Sequence, residues 1–162
     1  MRRSAFEEIH MSFRHVLASL AAVAAVAFAP AALATGKIMT PEKLDGVKVV
    51  DAAGVQAAMS KGVPAIDVRV AAECTEKTIK GAVCNTYREK SAKAPDFDKS
   101  QDQFDLAKLP ADKAAPVVLF CNAGECWRSY KAAVVARDAG WKNVMWFRGG
   151  MPEWVEKGLP TQ

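Results

Sequence analysis

The residues best suited to chemistry lie in one short stretch, Cys121-Asn-Ala-Gly-Glu-Cys126-Trp-Arg-Ser129. A cysteine thiolate is a strong nucleophile at neutral pH and can carry a covalent intermediate. Val117 to Cys121 is an apolar, strand-like run that ends on this cysteine, and a helix pattern follows from Arg128 to Ala139. Cys121 is therefore expected at a strand-to-helix turn. In open α/β sheets that edge binds ligands, and the helix N-terminus behind it offers free N–H groups and about half a positive charge. Such surroundings bring a thiol from about 8.5 down to roughly 7 or lower. For an isolated cysteine, burial as an inert side chain is the usual outcome. Here a second cysteine, a glycine and an arginine within the next seven residues favour function.

The elements that must position this loop can be read from apolar periodicity. Strand-like runs occur at Val47 to Val50, Ala65 to Val68, Ala82 to Cys84, Val117 to Cys121 and Val144 to Phe147. Helix-like segments fall at Ala52 to Ser60, Ala71 to Glu76, Gln103 to Leu109 and Arg128 to Ala139. In the last of these, Ala132, Val135, Ala136 and Ala139 follow the spacing of one buried face, and Gly140 ends it. The alternation predicts an α/β domain whose central five-stranded sheet is mainly parallel and flanked by helices. Residues 88 to 116, polar and carrying Pro95, Pro110 and Pro116, read as a surface connection with one short helix and no chemistry.

Composition narrows the function classes. The chain has 162 residues, 51% hydrophobic and 25% charged, which suits one globular domain. Arg2, Arg3 and Arg14 precede an Ala-rich apolar run from Val16 to Leu33, and Ala32 with Ala34 forms a small-residue cleavage pattern. Residues 1–34 are thus expected to be an export signal and 35–162 the mature domain, periplasmic or secreted and free of the membrane after cleavage. The alternative, an uncleaved anchor, would rest on a run barely long enough to span. A net charge of +4, milder still without the signal, is too small to argue nucleic-acid binding. Both histidines, His10 and His15, fall in the signal. No histidine base or histidine metal ligand is therefore expected in the domain.

Three segments resemble the rhodanese family. The first is Ile66-Asp-Val-Arg69 with Glu73, followed by Ile79-Lys-Gly-Ala82. The second is the Cys121 loop, and the third is Arg148-Gly-Gly-Met-Pro-Glu-Trp154 with Gly158-Leu-Pro160. The resemblance implies a three-layer domain and a sulfurtransferase. Cys121 would take a sulfane sulfur from a small anion such as thiosulfate and pass the persulfide sulfur to cyanide or a thiol, with no cofactor and no metal. It also implies that the N–H groups of Asn122, Ala123, Gly124, Glu125, Cys126 and Trp127 hold the anionic sulfur while Arg128 attracts the donor. Asp67 and Arg69 are expected to pin loops near the site, and Trp154 to be core.

Cys126 and Trp127 stand where the common loop has a basic residue and a hydroxyl, which resembles a periplasmic subgroup marked by a paired Cys before Trp. Cys126 is either a resolving thiol, making the pair a periplasmic thiol–disulfide oxidoreductase or a protein that expels the sulfur as sulfide and closes a Cys121–Cys126 disulfide, or a small apolar filler. Trp127 either lines the pocket mouth or caps the core. A persulfide or Cu(I) carrier using both sulfurs remains open, although no His or Met is adjacent. Phosphatase or arsenate-reductase chemistry is disfavoured because Arg128 lies one residue too far for a Cys-x5-Arg loop. Cys74 and Cys84 are expected to form a structural disulfide worth about 2 to 3 kcal/mol, although four cysteines allow three pairings.

Overall fold

The computed structural model describes residues 36–162; the expected signal, with its cleavage point, lies outside the described residues. The elements run β1 (Lys48–Val50), α1 (Ala52–Met59), β2 (Ala65–Asp67), α2 (Ala71–Glu76), β3 (Val83–Cys84), β4 (Val117–Phe120), α3 (Trp127–Asp138), β5 (Val144–Phe147) and α4 (Gly150–Glu156). Single 3-10 turns occur at Lys99–Gln101 and Leu106–Lys108. The strands form one sheet in the order β1-β5-β4-β2-β3, and every neighbouring pair is parallel. Among the described residues, no helix is long and apolar enough to cross a membrane.

Strand β4 lies at the centre and is buried along its whole length. Its side chains alternate between two cores, as a pleated strand covered on both faces requires. Val117, Leu119 and then Cys121 pack with Ala132, Ala136 and Trp146 on the α3 side. Val118 and Phe120 pack with Val55, Phe147 and Trp154 on the side of α1 and α4. Helix α1 starts where the Asp51 carboxylate accepts the Gly54 N–H at 2.8 Å.

The predicted helix from Gln103 to Leu109 is not formed. Gln103 pairs with Arg88 across an isolated bridge, and Asp105 instead caps the short turn at Leu106–Lys108 by accepting the Ala107 N–H. Pro110 follows at once. The connection from 88 to 116 is also less superficial than its polarity implies, because Ser91, Phe97 and Leu109 are buried. It covers the outer side of α3, so that helix buries Tyr130, Lys131, Ala133 and Val134 as well as its sheet face, while Val135 is only half-buried. Helix α4 carries no clear periodicity, having Gly149 and Gly150 at its start and Pro152 in its first turn, where the missing N–H costs nothing.

Lys131 is fully buried, and its ammonium is satisfied by the Ser91 hydroxyl at 2.8 Å, the Ser91 carbonyl at 3.0 Å and Glu89 at 3.5 Å, over the Phe97 ring. Asp102 organises the same region, accepting from Lys90 N–H, Ser91 N–H and hydroxyl, and Tyr87 O–H. Burial alone would raise the Asp102 carboxyl, but these donors outweigh it and hold it below the usual range; burial and Asp102 together push the Tyr87 phenol far up. A depressed folded-state value means that the Asp102 contribution is complete above the unfolded value of about 3.9 and is lost as pH falls through the lower folded value. Asp102→Asn is therefore expected to cost about 1 to 3 kcal/mol at neutral pH. Urea midpoints should show the gap to the parent closing at pH values below the carboxylate range.

Candidate active site

Cys121 follows the last residue of β4, and Cys126 is the residue before α3. The four residues between them turn tightly enough for Ala123 to adopt a φ of 53°, left-handed backbone that a non-glycine residue rarely takes. The Cys126 N–H closes the turn on Ala123 O at 3.2 Å. That donor is spent within the loop, so it is not free to hold an anion as the family resemblance implied. Cys121 and Cys126 bring their sulfurs into contact, with Cα atoms 6.3 Å apart. Both are buried, Cys121 at 1% exposure and Cys126 at 9%.

The Cys121 sulfur has two further polar neighbours. Its Sγ lies 3.1 Å from the Cys126 carbonyl and 2.9 Å from the Ser129 hydroxyl in the first turn of α3. Arg128 turns towards the pair, with a guanidinium nitrogen 4.0 Å from Cys126 Sγ. One positive charge and the α3 N-terminus thus stand beside the two sulfurs, an arrangement that favours the thiolate and receives anions.

The carboxylate of Asp67, fully buried at the end of β2, accepts from Arg69 Nη2 at 2.7 Å, Arg69 Nε at 3.0 Å, the Arg69 N–H at 2.9 Å and the Thr78 hydroxyl at 2.8 Å. Arg69 also donates to the Glu73 and Lys77 carbonyls and lies 4.0 Å from the Glu73 carboxylate. Glu73 in turn accepts from the Asn122 amide. Through Asp67 and Arg69 this chain ties β2 and α2 to the cysteine loop. Asn122 is the loop residue it reaches.

The other loop residues are held from the opposite side. The Gly124 carbonyl accepts from the Thr40 N–H at 2.7 Å and its hydroxyl at 2.9 Å. Glu125 pairs with Lys37 at 2.8 Å on the exposed rim. Trp127 is buried at 2%, donates to Ile38 O at 2.9 Å and packs edge-on against Tyr130, so it caps the core. Arg148 donates to the Thr40 and Pro41 carbonyls, and residues 37–41 therefore lie as a strap along the loop. Trp154 is core, as expected.

Thr40, Arg148, Gly150, Ser129 and Trp146 were not singled out as site residues from sequence. Gly150 has a φ of +58°, and a side-chain carbon there would lie 2.1 Å from Cys121 O and 2.8 Å from Ala123 N. Only glycine lets α4 come down on the loop, where the Met151 N–H donates to Cys121 O at 2.9 Å. The Arg-Gly-Gly run was visible, but its partner, the carbonyl of Cys121, was not.

Cys74, buried in α2, and Cys84, on the edge strand β3, also have their sulfurs in contact, with Cα atoms 6.1 Å apart, within the span a disulfide bridges. Among the described residues, no three or more His, Cys, Asp or Glu side chains gather as a metal site.

The family model for the rhodanese-like domain matches residues 51–157, which include the cysteine loop and the Asp67–Arg69 pair but not the strap at 37–41. A rhodanese domain-containing protein of Drosophila melanogaster is 27% identical over 92 residues, covering 57% of this chain and 81% of its own. Among solved structures, a protein from Lactobacillus plantarum superposes with a TM-score of 0.52 at 24% identity, covering 70% of this chain and 87% of that one. The rhodanese-like domain of the Alr3790 protein from Anabaena sp. gives 0.50 at 19% identity, covering 70% and 76%. The structures share the fold; the family match spans well over half of the sequence, and the chain belongs to the rhodanese-like domain family.

Proposed function

We propose that the protein is an exported sulfurtransferase, acting in the periplasm or outside the cell as residues 35–162, with Cys121 as its nucleophile. The observation that carries this reading is the seat of the Cys121 sulfur at the β4–α3 turn, facing the N-terminus of α3 beside Arg128. The Cys121 thiolate attacks the outer sulfur of thiosulfate, or of a similar small anion. A new S–S bond forms as the old one breaks, sulfite leaves, and a persulfide remains on Cys121. Cyanide or a thiolate then attacks the outer persulfide sulfur, carries it away and returns Cys121 as thiolate. Neither step calls for a metal or an organic cofactor. Formation of thiocyanate from thiosulfate and cyanide by the purified mature domain tests the reading, and no sulfur transfer to cyanide or any thiol would refute it.

The contact between Cys126 and Cys121 supports a second route from the same persulfide. The Cys126 thiolate attacks the inner sulfur, the Cys121–Cys126 disulfide forms, and the outer sulfur leaves as hydrosulfide. An external dithiol then supplies the two electrons that restore both thiols. In a single turnover of the persulfide before any thiol is added, Cys126→Ala is expected to abolish sulfide release while leaving persulfide formation within a few-fold of the parent. Trapped sulfide measured over one turnover distinguishes the routes; undiminished release from the variant removes this one.

A further inference from the structure

Ser129 lies in α3, 1% exposed, with its hydroxyl 2.9 Å from Cys121 Sγ. The same oxygen accepts the indole N–H of Trp146, fully buried on β5, at 2.9 Å. An indole nitrogen can only donate, whereas a hydroxyl has one proton and two lone pairs. Trp146 therefore occupies one lone pair of Ser129 and leaves its proton to point elsewhere. When Cys121 is a thiolate, a persulfide or a disulfide it bears no proton of its own, so across this contact the serine is the donor. We propose that Ser129 is a further catalytic residue that donates a hydrogen bond to the Cys121 sulfur, and that Trp146 is the positioning residue that aims it.

A second contact works in the opposite sense. The Cys126 carbonyl, 3.1 Å from the same sulfur, can only accept, and so favours the protonated thiol. Charged groups approach the loop from its neighbours: Asp67 at the end of β2 and Arg69 beyond it, Glu73 on α2, Glu125 within the loop, Lys37 on the strap, Arg128 on α3, and Arg148 beyond β5. Among the described residues, none of them is hydrogen-bonded to Cys121 Sγ, and all remain in place when Ser129 is changed. Among the described residues the serine is thus the one side-chain donor to the sulfur, and because it is uncharged and buried its effect should persist at high salt, unlike that of Arg128.

The inference rests on Cys121 being the nucleophile, but its test needs no sulfur donor. In a Cys126→Ala background, fully reduced, the rate of iodoacetamide alkylation at Cys121 is followed against pH by peptide mapping, which separates Cys121 from Cys74 and Cys84. Ser129→Ala should raise the midpoint by about one pH unit, and Ser129→Thr should restore most of it. Trp146→Phe should give a smaller rise, and Ser129→Ala with Trp146→Phe should match Ser129→Ala alone, since the indole acts only through the hydroxyl. The double variant removes donor and acceptor together and leaves no orphaned buried N–H, so it serves if Ser129→Ala alone does not fold. A parental midpoint in the folded variants overturns the proposal, and additive effects overturn the relay. A shifted midpoint in a protein that never accepts sulfur would refute sulfur transfer and leave this inference standing.

Discussion

Cys121→Ser is expected to abolish persulfide formation and to lower sulfur transfer by roughly three orders of magnitude or more, as removal of a covalent nucleophile does elsewhere. The substitution is nearly isosteric, so the buried end of β4 keeps its packing against Ala132 and Trp146. Chemistry is what changes. A serine hydroxyl does not ionise near neutrality, and the helix terminus and Arg128 that suffice for a thiol cannot bring it there. Even ionised, its oxygen would form no stable bond to sulfane sulfur. Residual activity in the variant should rise linearly with thiosulfate, without saturating in the range that saturates the parent. Thiocyanate formation and a thermal melt on the same sample separate this outcome from unfolding, and a folded variant with parental turnover would be incompatible with Cys121 as the nucleophile.

Asp67→Ala should have the largest effect on stability. It leaves the Arg69 guanidinium, 7% exposed, without the two oxygens that accept three of its hydrogen bonds, and it orphans the Thr78 hydroxyl as well. Breaking one side of a buried ion pair costs about 3 to 5 kcal/mol, far more than loss of an exposed pair such as Lys37 with Glu125. Asp67→Asn retains volume and one acceptor and should lose less. The damage should also reach the active site, because Arg69 and Glu73 carry the restraint on to Asn122. Chemical denaturation measures the first effect. The persulfide-loading rate, assayed well below the melting temperature, measures the second, and a variant within 1 kcal/mol of the parent (about a fivefold change in the folding equilibrium) would contradict the buried-pair account.

The parallel sheet and α3 were legible because their signals are local. Apolar runs such as Val117 to Phe120 have no polar face, which is what a central strand covered on both sides demands, and Cys121 continues their alternation onto the α3 side. The segment from Gln103 to Leu109 misled because Asp105 and Gln103 carry competing local and cross-chain hydrogen bonds that composition does not reveal. Helix α4 was hidden by two glycines and a proline whose value lies in the closeness of Gly150 to the cysteine loop. At the site, Cys121, Arg128 and the Asp67–Arg69 pair could be named from spacing and resemblance. Ser129 was visible only as the residue after Arg128, since its indole partner is on another element, and Thr40 reaches Gly124 across 84 positions. Contacts of that kind are products of the tertiary fold and leave no periodic trace.

The central claim is that Cys121 carries sulfane sulfur. The reduced mature domain, incubated with thiosulfate, desalted and weighed intact, should gain about 32 Da, one sulfur atom, and peptide mapping should place it on the fragment containing Cys121. In the Cys126→Ala variant the gain should persist longest, and in Cys121→Ser it should be absent. No gain in the folded, reduced protein with thiosulfate or any other sulfane donor, or a gain confined to Cys74 or Cys84, would contradict the account.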